Sequence, residues 1–116
     1  MIVRAEDTHV AHIVFADPSS EVKIEPGGTV SKGIVDDNGL KAIVVGFDTG
    51  EGTPEHDVPL AAIVQVLSGL LHYNVQGEEF DLAPGSWLYL PPGTPHAQTA
   101  LEPTVLLLTL VPPKSD

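Results

Sequence analysis

Eleven glycines and eleven prolines cut this chain into short β-branched runs, and no run holds the i, i+3, i+4, i+7 apolar spacing for the length of a helix. That punctuation predicts an all-β fold. The expected strands are His12 to Phe15, Val22 to Ile24, Thr29 to Ile34, Lys41 to Phe47, Ala61 to Leu67, Leu70 to Val75, Glu79 to Leu82, Ser86 to Leu90, His96 to Thr99 and Thr104 to Leu110. Their spacing, about eight to twelve residues from one to the next, is that of a sandwich or barrel. Asp36-Asp37-Asn38-Gly39 and Val75-Gln76-Gly77-Glu78 place glycine where tight hairpins need positive φ, and Pro91-Pro92-Gly93-Thr94-Pro95 reads as a stiff loop that re-aims the chain.

With 116 residues and no linker, repeat or low-complexity segment, the whole of 1–116 reads as one domain. N-terminal strands are expected over 10–47 and a frayed tail over 112–116. A chain of this length buries enough surface to stand without a structural metal, so any metal serves function first. There is no cysteine, which removes disulfides, thiolate zinc sites and cysteine nucleophiles together. The net charge is −11, and the five basic residues, Arg4, Lys23, Lys32, Lys41 and Lys114, are scattered, which excludes nucleic acid as a partner. The longest apolar run, Val105 to Val111, is far too short to span a bilayer. The N-terminal residues turn acidic before any apolar stretch of signal-peptide length, so the cytoplasm is the expected compartment. Asp36-Asp37-Asn38-Gly39 lacks the further carboxylates of a calcium loop and reads as a turn. No Ser-His-Asp order, catalytic carboxylate pair or nucleophile elbow stands in the sequence, and Ser68 reads as a structural hairpin residue.

Two histidines fall beside turns, and their surroundings carry a pattern. Gly50, His56 and Gly69 stand at the spacings of the first cupin motif, with Val58 where that motif has a second His and Ala62 where it has a Glu. Gly85, Pro91, Gly93 and His96 match the second motif, with Ala100 in place of its Asn. The chain therefore resembles the cupin superfamily, with core motifs over 50–100. It is most similar to a branch of small stand-alone cupins through Glu55-His56, Pro59, Ala62, Val64, Val66-Leu67, Gly69, Pro91 and Pro95-His96-Ala97. In that branch the missing second His and Glu are usual. The resemblance implies a double-stranded β-helix (jelly-roll) barrel. It also implies a homodimer, paired through the sheets or by exchange of N-terminal strands.

Alternation along an extended strand puts His56 and Val58 on one face and sends Glu55 and Asp57 to the other. Ala62, Val64 and Val66 should share the interior, as should His96, Gln98 and Ala100. The expected cup thus holds two imidazoles and one amide among small apolar side chains. Complete cupin sites use three His and one Glu around a first-row metal; here the candidate metal ligands are His56 and His96, for Zn, Ni, Mn or Fe. The ligand-binding set is His56, His96, Gln98, Val58 and Ala62.

Three functional readings stay open. The first is a small-molecule-binding cupin that holds a divalent metal on the two His; the second is a metal-dependent enzyme of oxygenase, isomerase or lyase type, with Gln98 orienting a small oxygenated substrate. The third is a metal-free sensor or structural cupin. A neutral hydrogen-bonding pair and a general acid/base role are the other chemistries open to the imidazoles. His72, between Leu71 and Tyr73, is expected to point outward, and His9 and His12 to be exposed. Trp87 and Tyr89 share one face of their strand, whose parity the sequence leaves open.

Overall fold

The computed structural model describes residues 12–114. Seven strands follow one 3-10 turn at Pro18–Glu21: β1 (Thr29–Asp37), β2 (Leu40–Phe47), β3 (Gly52–His56), β4 (Ala61–Val75), β5 (Glu78–Leu82), β6 (Trp87–Leu90) and β7 (His96–Val111). Every pairing is antiparallel. Two long strands organise the rest. The first half of β4 pairs with β6 and with the second half of β7, which also pairs with β2; the second half of β4 pairs with β5 and with the first half of β7, which also pairs with β3. Both long strands therefore pass from one sheet to the other, giving the all-β jelly-roll barrel that the sequence implied.

The crossing point explains a difference from the expected elements. The runs Ala61 to Leu67 and Leu70 to Val75, expected as separate strands with Ser68 in a hairpin, form one strand, as do His96 to Thr99 and Thr104 to Leu110. Irregular register at Val66, Ser68, Leu70 and Leu71 bends β4 without ending it. Gly69 sits in the bend at φ 93°, where a Cβ would collide with the Pro103 carbonyl oxygen and the Thr104 side chain. Only glycine meets both demands. Fully buried Thr104 ties the bend across: its hydroxyl accepts the Leu70 N–H at 3.0 Å and donates to the Glu102 carbonyl at 2.8 Å.

Alternation then fills the space between the sheets. Phe47, Val64, Val66, Leu71, Tyr73, Ala100 and Leu106 form the core, flanked by Val45, Val75, Phe80, Leu82, Leu88 and Leu108. The outer face of β2 is covered from the N-terminal side. His12 to Phe15 and Val22 to Ile24, expected as strands, are not strands: Pro18 opens the 3-10 turn between them, and Val22 and Ile24 lie against Gly46 by side-chain contact, without ladder bonds. His12 is exposed; His9, like residues 10 and 11 of the expected N-terminal strands, lies outside the described residues. Of the tail, Pro112 is half-buried beside Gly39, Pro113 and Lys114 are exposed, and 115–116 lie outside the described residues. Among the described residues no helix is long and apolar enough to cross a membrane.

Candidate functional site

The two motif histidines meet inside the barrel. His56 on β3 and His96 on β7 are direct cross-strand partners, with ring centroids 4.3 Å apart and planes tilted by 55°. Each ring is fixed by a carbonyl two residues earlier in the chain: His56 Nδ1–H donates to the Pro54 oxygen at 3.0 Å, and His96 Nδ1–H donates to the Thr94 oxygen at 2.9 Å. Proline supplies the stiffness on both sides. Pro54 lies within β3, and the loop Pro91 to Pro95 is held by Thr94, whose N–H and hydroxyl both donate to the Pro91 carbonyl. The Gly93 N–H donates to the Val58 carbonyl at 2.8 Å, so the loop and the segment after β3 are tied together. Both rings are thereby set in the tautomer that protonates Nδ1 and leaves Nε2 as the free lone pair.

These rings line a cup of about 70 Å³. Gln98 and Tyr73 add the other polar groups. The remaining wall is apolar: Val45, Leu106, Leu108 and Leu110 on one side, Val58, Ala62, Val64 and Leu90 on the other. Thus His56, His96, Gln98, Val58 and Ala62 all come together in one cavity. Gln98 Nε2 donates to Thr53 Oγ1 at 3.2 Å, while its Oε1 is buried and has no partner among the described residues. Among the described residues no group of three or more His, Cys, Asp or Glu side chains is placed to hold a metal.

Two neighbours of the cup escape a reading of the sequence alone. Thr53 escapes it because Gly52-Thr53-Pro54 has neither the composition nor the alternation of a strand. Tyr73 pairs directly with Gln98 and stacks near His96, centroid to centroid 6.3 Å, and its burial pushes the phenol well above the usual range. Its inward parity was available from the outward placement of His72, but a buried tyrosine on its own signals only a core. His72 does face the outer surface, where Nδ1 contacts Asp81 at 2.6 Å and Nε2 contacts Glu79 at 3.0 Å. Trp87 and Tyr89 also point outward, 58% and 49% exposed.

The profile of the cupin domain matches residues 43–111, which spans β2 to β7 and both histidines. The chain is a cupin. This cupin is similar to a conserved protein of unknown function from Streptococcus pyogenes, at 32% identity over 98% of this chain and 96% of that one, with a TM-score of 0.79. It is similar to a cupin 2 conserved barrel domain protein from Leptotrichia buccalis, at 34% identity over 79% of this chain and 45% of that one, TM-score 0.73. It is also similar to KdgF from Halomonas sp., at 29% identity over 78% and 84% of the two chains, TM-score 0.71. No curated protein matches the sequence.

Proposed function

We propose that this cupin binds a small molecule in its cup through a divalent first-row ion, zinc, nickel, manganese or iron, held by His56 and His96. The observation that carries the reading is the pair of Nδ1–H to carbonyl bonds at 3.0 and 2.9 Å, which orients both rings and reserves both Nε2 atoms for a ligand. Metal-bound histidines almost always donate their other nitrogen in this way. The donor set fits a borderline ion, since imidazole suits zinc, nickel and iron and the incomplete shell leaves positions open. A metal bound there supplies Lewis acidity to an oxygen of the bound molecule. The apolar walls contributed by Val58, Ala62 and Leu90 and the volume of about 70 Å³ limit the ligand to a small one.

Elemental analysis of untagged protein, followed by calorimetric titration with zinc and nickel, tests the reading. Binding of one ion per chain, weakened roughly tenfold or more by His56→Ala and by His96→Ala, is the expected result. Tight stoichiometric metal that survives both substitutions would place the site elsewhere. No binding at all would favour the metal-free reading, in which the imidazoles meet the small molecule directly.

A further inference from the structure

One polar atom of a residue lining the cup has its hydrogen-bonding capacity unmet. Gln98 Oε1 exposes less than 1 Å² to solvent and has no partner among the described residues, whereas the other end of the same amide is anchored on Thr53. An unpaired buried carbonyl is a standing cost to the fold. It is tolerated at sites where a bound group completes it. Position narrows what that group can be. Gln98 lies two residues after His96 on β7, hence on the same face, and β3 sets His56 opposite His96 and Thr53 opposite Gln98. All four side chains therefore come from two adjacent cross-strand pairs. Water is too large to reach the oxygen as it stands. A divalent ion is smaller, and metals of this class bond oxygen ligands at about 2.0–2.2 Å.

We propose that Gln98 Oε1 is the third protein ligand of the ion held by His56 and His96, with Thr53 as the positioning residue that takes the amide nitrogen and leaves the oxygen free. This inference rests on the metal reading above and extends it. Among the described residues no third His and no carboxylate lines the cup, so a neutral amide stands in for the charged ligand that Ala62 replaces. The consequence is electrostatic. Two imidazoles and an amide cancel none of the ion's double charge, and the surrounding wall is apolar. The molecule that completes the shell is therefore an anionic oxygen donor, a small carboxylate. The Tyr73 phenol lines the same cup directly across the strand pair from Gln98 and is available to donate to that carboxylate.

Cobalt(II) titration of untagged protein, read by visible absorption with and without acetate, tests the assignment. Gln98→Leu is expected to weaken Co²⁺ binding roughly tenfold or more while leaving the metal-free unfolding temperature at or above that of the parent, since it removes the orphaned oxygen. Gln98→Glu keeps an oxygen at the same reach and adds charge; it should tighten Co²⁺ by a similar factor and diminish the spectral response to acetate. Thr53→Val should weaken binding by a smaller factor. Equal Co²⁺ affinity in Gln98→Leu and the parent, with His56→Ala still defective, overturns this inference alone. Affinity that also survives His56→Ala and His96→Ala overturns the metal reading with it. Should Gln98→Leu not fold, Gln98→Glu decides: a carboxylate at position 98 that leaves Co²⁺ affinity unchanged overturns the assignment.

Discussion

Thr104 shows how much one side chain holds in this barrel. It is fully buried, and its hydroxyl takes the N–H of Leu70 just where β4 loses its regular ladder. Thr104→Val keeps the shape and strands that N–H, so we expect a loss of about 1–3 kcal/mol in denaturant unfolding with the fold retained. An unfolding midpoint equal to the parent's would show that water or relaxed backbone satisfies Leu70. At this scale the sequence was legible where a spacing carried a residue type. Gly50, His56, Gly69 and His96 could be placed by motif, and the facing of the two rings follows from it. Thr53 and Tyr73 could not, because their importance comes from which residue lies opposite them across a strand pair, and register is not written in any local pattern.

Pairs of strands carry the next level. On the outer face, β4 and β5 bring His72 between Asp81 and Glu79, and the hydrogen bond to Asp81, followed by that to Glu79, raises the imidazole above its ordinary value of 6.5. A raised folded value means that the pair contributes fully below about pH 6.5 and loses its contribution as pH climbs through the folded value. Thermal unfolding of the parent and of Asp81→Asn should therefore differ most near pH 6 and converge at higher pH. The effect is small because the side chains are 34% to 61% exposed and solvent screens them. A gap that widens with pH would rule out the pairing as its source. Strand content was legible wherever alternation was strong, as in Lys41 to Phe47 or Ala61 to Leu67. The errors have physical causes. Gly-rich Ser68-Gly69 reads locally as a hairpin, yet it is a bend, because β7 supplies a continuous partner on both sides of it. Val22 and Ile24 are β-branched, yet they pack on Gly46 without a ladder, since their burial is met by side-chain contact alone.

For the molecule as a whole, the distribution of charge and apolar surface points to assembly. The chain carries −11, but the six outward side chains Trp87, Tyr89, Ile63, Gln65, Leu107 and Thr109 of one face are all uncharged. A second copy repelled elsewhere by its own acidity can approach on that face, and we expect a homodimer. Small-angle scattering should give twice the chain mass at micromolar concentration, and Trp87→Glu should shift it toward one chain. A parent that scatters as one chain throughout would exclude this assembly. The two long strands have a further effect, on the order in which the fold can come into being. β7 lies after all the other strands in the sequence, yet β2, β3 and β4 each need it as a neighbour. A growing chain that has delivered six strands still lacks the one that joins them. Each sheet waits for its own half of β7. Closure of the barrel during synthesis thus waits until about residue 111 has emerged, and the pairing of sequence-distant strands makes it slow. Until then β2 stands with an open edge that only its own late partner is shaped to fill.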